Sequence, residues 1–246
     1  MQIRDRKQRE RVIVLGHRGY PVKEIENTLS SYQRALSVGA DGVELDVHIT
    51  KDGKIVVMHD FNTKRVFGVD KTIEECTLPE IKEISNEIPT LDEVFSSIGP
   101  CYYDIEIKAD FSFDKKLCPT LLEVLNRYPE FHEKMMISSF NPLAMRQFSK
   151  ISKHRFPQAI IYDGPPTSVP KLLQHGQGRF FFPCDVLKPK WDIAEREKKT
   201  KERYPIVPWT VDTKETLDLM VSLHAPIVIT NEPEKIVKAL QEDGLR

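Results

Sequence analysis

Residues 42–59 read GVELDVHITKDGKIVVMH, two apolar-rich runs separated by the turn signal Lys51-Asp52-Gly53. The first run, Gly42–His48, alternates Val43, Leu45 and Val47 with Glu44, Asp46 and His48. The second, Lys54–His59, carries Ile55, Val56 and Val57. Both read as strands. Parallel neighbours need a crossover of a dozen or more residues, and here the link is only Ile49–Gly53. The second run must therefore return antiparallel, as one arm of a hairpin. Outward from this point, further strand candidates are Val12–Leu15, Tyr102–Lys108, Lys134–Ser138, Gln158–Tyr162, Arg179–Cys184, Ile206–Val211 and Pro226–Thr230. Without the hairpin arm, eight remain.

Each of the eight is followed by a stretch with helical periodicity: Asn27–Val38, Thr90–Ser97, Phe113–Tyr128, Asn141–Ser152, Thr167–Gln174, Lys190–Arg203, Thr213–Leu223 and Pro233–Gln241. Asn27 or Thr28 and Thr90 are suited to capping, and Pro142 and Pro233 to a first helical turn. Eight βα units predict a (β/α)8 TIM barrel, with an open doubly wound sheet as the alternative. The expectation is one domain over residues 1–246, with a small insertion after the second strand at about 51–88. The 246-residue length suits one such barrel.

With 40% hydrophobic and 30% charged residues, the composition is that of a globular chain with a full core. The formal net charge of −1 offers no global field for nucleic acid or anionic membranes. No run approaches the ~20 apolar residues of a membrane span. Residues 1–11 are charged and lack the apolar segment of a secretory signal. Cys76, Cys101, Cys118 and Cys184 form no CxxC pair, so free thiols in the cytoplasm are expected.

In a (β/α)8 barrel, reactive groups come from the C-terminal ends of strands. Those ends carry His17-Arg18, Glu44-Leu45-Asp46, His59-Asp60, Glu106-Ile107-Lys108 and Trp209-Thr210-Val211-Asp212. Glu44 and Asp46 share one strand face, as do Glu106 and Lys108. If Glu44 and Asp46 point into the barrel, Val43, Leu45 and Val47 meet the helices. Buried carboxylates repel unless something positive joins them. Glu44, Asp46 and Glu106 make an all-oxygen set suited to one Mg2+, Ca2+ or Mn2+ ion. Without a metal, the same residues could form an ion-pair network with Arg18 and Lys108.

These segments carry a resemblance. His17-Arg18-Gly19, Glu26-Asn27-Thr28, residues 39–47, Thr50–Gly53 and Val56–Asp60 resemble the signature of the glycerophosphodiester phosphodiesterase family. Ile88–Val94, Glu106–Lys108, Ser138–Phe140, Trp209–Asp212 and Ile229–Pro233 extend the match to the far end of the chain. The resemblance implies a barrel with a small insertion, a divalent metal, and hydrolysis of a small-molecule glycerophosphodiester to glycerol 3-phosphate and an alcohol. It also raises a two-step route through a cyclic phosphate. Asn231 stands where many members have Asp, a departure expected to leave the chemistry untouched.

The roles that follow are His17 and His59 as acid/base pair, and Glu44, Asp46 and Glu106 as metal ligands. Arg18 and Lys108 would grip the phosphate, Arg18 in bidentate fashion. Trp209 would be an apolar wall, or barrel packing. Glu26-Asn27-Thr28 would cap the first helix, with Glu26 a lesser site candidate. His48, His132, His154, His175 and His224 are assigned to structure or surface. A phosphodiester enhancement of ~10^17 needs ~23 kcal/mol, and one acid/base group gives about 3–5 kcal/mol. Two histidines therefore leave most of it to metal, cations and positioning. The alternatives are a phospholipase D-like hydrolase of lysophospholipids and a catalytically silent binding domain.

Overall fold

The computed structural model of the chain describes residues 11–110, 115–164, 170–199 and 203–246, with backbone alone at 197–199. Its strands are β1 (Ile13–His17), β2 (Gly42–Ile49), β3 (Ile55–Val57), β4 (Tyr102–Ile107), β5 (Met135–Ser139), β6 (Gln158–Tyr162), β7 (Val186–Pro189) and β8 (Ile227–Thr230). The sheet order is β7-β6-β5-β4-β2-β1-β8. All neighbours on this path run parallel, and β3 pairs antiparallel with β2, as the short link requires. The gap between β7 and β8 is filled by residues 205–211. Val207 N–H donates to Leu187 O at 2.8 Å and Trp209 N–H to Pro189 O at 3.2 Å. On the other side, Val211 N–H donates to Ile229 O at 2.8 Å. The ring therefore closes. This eighth stave forms only isolated bridges because Pro205 and Pro208 have no N–H to give a ladder.

Two sequence expectations are corrected here. Arg179–Cys184 is not a strand: Gln177–Phe180 is a 3-10 turn, and Phe180 and Phe181 are exposed. The apolar run Phe180–Phe182 mimicked a buried strand, while the true one, Val186–Pro189, is interrupted by Lys188. The segments after β6 and β7 are 3-10 turns, not α-helices: Lys171–Leu173, Gln177–Phe180 and Trp191–Lys199. Residues 167–169 of the expected helix at Thr167–Gln174 lie outside the described residues, as do residues 113–114 of that at Phe113–Tyr128 and 200–202 of that at Lys190–Arg203.

The remaining helices cover the ring. They are α1 (Leu29–Ser37), α2 (Lys64–Phe67), α3 (Leu78–Ile84), α4 (Leu91–Ile98), α5 (Leu117–Asn126), α6 (Pro142–Ser152), α7 (Lys214–Ser222) and α8 (Pro233–Glu242). Their starts follow from side-chain caps: Thr28 on α1, a Thr90–Glu93 capping box on α4, Asn141 on α6 and Thr213 on α7. Between β3 and α4, the insertion buries Val56, Met58, Ile73, Ile81 and Ile88 in a small core of its own.

Strand alternation sorts the barrel into two apolar layers. Val14, Val43, Leu45, Val47, Tyr103, Ile105 and Ile107 face the helices. Inside the ring, Ile13, Leu15, Met136, Ala159, Val186, Val207, Ile227 and Ile229 form a plug. Gly42 is required where the chain enters this ring, since a Cβ there would lie 1.9 Å from Tyr102 O. At the same end, Asp41 ties the first and last described segments together. Its carboxylate accepts from Arg11 at 2.8 Å, from Arg246 at 2.8 and 3.1 Å, and from Val14 N–H at 2.9 Å. The four cysteines are free. Among the described residues, no helix is long and apolar enough to cross a membrane.

Candidate active site

Parallel register fixes the polar layer above the apolar plug. His17 is level with Glu44, Glu44 with Asp104, and Asp46 with Glu106. Glu44, Asp46 and Glu106 are buried and offer oxygens all within 4.8 Å of one another. After β1 the chain turns sharply, with Arg18 at φ 55° and Gly19 at φ 89°. A Cβ on Gly19 would also strike Ser31. The turn sends Arg18 N–H to Glu44 Oε2 at 3.1 Å and brings Arg18 Nε 3.5 Å from Asp46 Oδ2. Lys108 Nζ donates to Glu106 Oε1 at 2.9 Å and lies 3.5 Å from Asp46 Oδ1. Asn27 Nδ2 donates to Asp46 Oδ2 at 2.9 Å, and Tyr32 OH holds Asn27 in place at 2.8 Å.

The two β2 carboxylates are driven in opposite directions. Burial, with Asp46 beside it, pushes the Glu44 carboxyl well above the usual carboxylate range. Burial acts the same way on Asp46, but Lys108 and Arg18 overcome it and hold Asp46 below its usual value. Asp46 Oδ1 is buried with no hydrogen-bond partner. Three converging carboxylates with an unsatisfied oxygen among them are a donor set that fits a hard divalent cation.

Both histidines have one ring nitrogen committed. His17 Nδ1 is 2.8 Å from Asn231 Oδ1. Asn231 Nδ2 donates to the Asp212 carboxylate at 2.9 Å, so the amide oxygen must face His17 and accept from Nδ1–H. His17 Nε2 is left as an acceptor, 3.9 Å from Glu44 Oε2. Burial and the Arg18 charge lower the His17 pKa to about 3, so the ring is neutral. His59 Nδ1 lies 2.6 Å from Asp60 Oδ1, and a carboxylate there can only accept.

Of the eight residues expected at the site, seven line one cavity of about 530 Å3: His17, Arg18, Glu44, His59, Glu106, Lys108 and Trp209. Asp46 is reached through Arg18, Asn27 and Lys108. The structure places Trp209 between the two settings expected for it. It packs against the interior plug and walls the cavity, edge-on to Phe140 at 5.8 Å. His48 is fully buried beneath Phe61, a structural role as expected. Glu26 does not cap α1; it accepts from Arg18 at 3.0 Å.

Several site residues escaped the sequence reading. Lys188 also lines the cavity, donating toward Asp104 at 2.8 Å and lying 3.8 Å from Glu44. It was hidden because the seventh strand was placed too early. Asp104 was legible, two residues before Glu106 on the same face. Asn231, expected to leave the chemistry untouched as a replacement for Asp, has its amide oxygen 2.8 Å from His17 Nδ1. Nothing in the spacing of Arg65 marks it, yet it reaches both Asp60 and Glu26.

The family model for the glycerophosphoryl diester phosphodiesterase family matches residues 17–235. The chain belongs to this family. Among its relatives, a glycerophosphodiester phosphodiesterase of Caldanaerobacter subterraneus subsp. tengcongensis is 30% identical over 95% of the chain and 100% of that protein. The family's fold recurs in the Thermotoga maritima glycerophosphodiester phosphodiesterase, with TM-score 0.76 and 30% identity over 92% of this chain and 97% of that one. It recurs again in an Oleispira antarctica phosphodiesterase solved in complex with the product sn-glycerol-3-phosphate. There the TM-score is 0.79, with 21% identity over 94% and 97% of the two chains.

Proposed function

We propose that the chain, acting as one domain, hydrolyses glycerophosphodiesters to sn-glycerol 3-phosphate and an alcohol. One observation carries this reading: two histidines, two of the three clustered carboxylates and three cationic side chains open onto a single cavity. Family membership and the names of its relatives support it.

Glu44, Asp46 and Glu106 would hold a divalent cation, Mg2+, Ca2+ or Mn2+. When bound, such an ion supplies Lewis-acid polarisation of the phosphoryl oxygens. Lys188 and Asp104 add one charge of each sign to the site. Four carboxylates against Arg18, Lys108 and Lys188 therefore leave one negative charge, which a divalent ion turns into one positive charge for a phosphodiester anion. Arg18 and Lys108 face the phosphate and stabilise charge as it builds on phosphorus. His17 Nε2, its other nitrogen committed to Asn231, accepts the proton of the attacking hydroxyl. His59, as the imidazolium with Nδ1–H held on the Asp60 carboxylate, gives its Nε2 proton to the leaving alkoxide and is left as the Nδ1–H imidazole. The attacking hydroxyl is water, or the glycerol 2-hydroxyl when a cyclic phosphate forms first.

The cavity walls favour a second substrate within the same chemistry. Phe61, Phe140 and Pro170 present apolar surface that an acyl chain could cover. Turnover of glycerophosphocholine and of lysophosphatidylcholine, measured side by side with added divalent metal, separates the two. His17→Ala and His59→Ala should each lower kcat by at least ~10^2 while leaving the melting curve cooperative. Near-native turnover in either variant removes the acid/base assignment. No turnover of any glycerophosphodiester leaves a binding domain.

A further inference from the structure

One side chain of the insertion ties two arms of the site together. Arg65, on the short α2, donates Nε and Nη2 to Asp60 at 2.6 and 3.2 Å. It also donates Nη1 and Nη2 to Glu26 at 3.1 and 2.6 Å. Each carboxylate turns its other contacts to a different site cation or imidazole. Asp60 Oδ1 takes His59 Nδ1, and Glu26 Oε1 takes Arg18 Nη1. Arg18 is in turn shared with Asp46. A single guanidinium thus spans the two arms of the cavity that carry His59 and Arg18.

An exposed arginine ion pair usually contributes little. Arg65 differs in geometry, with four short donations to two carboxylates that are themselves only 17% and 26% exposed. Its neighbour Lys64 shows the ordinary case, pairing with Asp70 where both are above 60% exposed. We infer that Arg65 is a positioning residue for the reaction proposed above: it locks Asp60 so that His59 keeps Nδ1–H and turns Nε2 to substrate, and locks Glu26 so that Arg18 stays over the phosphate. The inference rests on that reading for its kinetic consequence, but its effect on the His59 ring does not. A lysine cannot replace it, because one ammonium lacks the fork that serves two carboxylates at once.

The test compares Arg65→Met, Arg65→Lys and the control Lys64→Met in the metal-loaded full chain. Long-range 1H–15N spectra of the imidazoles read the His59 tautomer without any substrate. The neutral His59 ring of the wild type should be the Nδ1–H tautomer alone, and that of Arg65→Met a mixture of tautomers. With glycerophosphocholine, kcat of Arg65→Met should fall about 10- to 100-fold, the range seen when a partner orienting a site ligand is lost. KM should change less than about threefold. Arg65→Lys should recover only part of kcat, and Lys64→Met should match the wild type. Adding Asp60→Asn to Arg65→Met should cost little more than either alone, because both act through one chain of contacts. An unchanged His59 tautomer in Arg65→Met overturns the inference whatever the activity. So does a kcat loss matched by Lys64→Met, which would reflect the stability of the insertion. A wild type that turns over no glycerophosphodiester defeats the functional reading, and the spectra still decide the role of Arg65.

Discussion

Replacing Lys188 with methionine should destabilise the barrel more as pH rises. Lys188 is buried inside the ring, with Nζ 2.8 Å from Asp104, 3.3 Å from Ser138 Oγ and 3.8 Å from Glu44. Burial already holds the Asp104 carboxyl above its usual value even with Lys188 beside it. Methionine fills similar volume but removes the one charge that, among the described residues, pairs with Asp104 directly. Losing one partner of a buried pair costs about 3–5 kcal/mol. At about 2–4 °C per kcal/mol for a chain of this size, the melting temperature should fall by about 6–20 °C. The variant can escape part of this by protonating Asp104. Its folded pKa then lies above the unfolded value of about 3.9, so between the two the folded state binds more protons. Stability is therefore highest at low pH and declines as pH rises through that interval, by up to about 1.4 kcal/mol per unit. Calorimetry at pH 5 and pH 8, both with chelator, reads the effect. Adding Asp104→Asn should restore much of the loss, since Ser138 can still donate to the amide oxygen. A Lys188→Met protein that melts within about 2 °C of wild type at pH 8, or whose deficit does not change with pH, refutes the reasoning.

Three further outcomes are expected. Chelation should abolish turnover and Mg2+, Ca2+ or Mn2+ restore it; at 100-fold excess over Kd the ion should stabilise the fold by about 2.7 kcal/mol. Glu44→Gln should weaken that thermal shift, and a shift of full size in this variant counts against the carboxylate set. Asn231→Ala should lower kcat about 10-fold or more by freeing the His17 tautomer, whereas Asn231→Asp keeps an acceptor and most of the rate; wild-type turnover in the alanine variant rules this out. Glu93→Ala should cost about 1 kcal/mol at pH 7 through the α4 capping box. Burial opposes ionisation of Glu93, but hydrogen bonds from Lys82 and Thr90 N–H prevail and hold its pKa below the usual value. Its contribution is therefore complete above about pH 4.3 and lost as pH falls through the folded value, so the gap between wild type and variant in urea titrations should narrow as pH falls below that point.

What the sequence made legible was whatever local periodicity and turn chemistry control. The short Lys51–Gly53 link forces an antiparallel β3, and the i, i+2 spacing in β2 and β4 puts Glu44, Asp46, Glu106 and Lys108 on one face. What it concealed depended on tertiary context. Phe180 and Phe181 look like core but are exposed, and Lys188 looks like surface but is buried, so the β7 segment misled in both directions. The stave at 205–211 was recognisable from its apolar residues, yet its prolines keep it from regular pairing. Asn231 lies 214 positions from His17 and Arg65 lies 39 from Glu26, separations at which no local pattern indicates contact.

The grip of Asp41 on Arg11 and Arg246 has a topological consequence. With Arg11 and Arg246 fastened to one carboxylate, a short linker between these two positions could splice the barrel into a covalent loop. New ends could then be opened in an exposed turn, such as that at Gly53. The circle of βα units would have no privileged starting point: each permuted polypeptide should reassemble the same mouth, facing away from the splice.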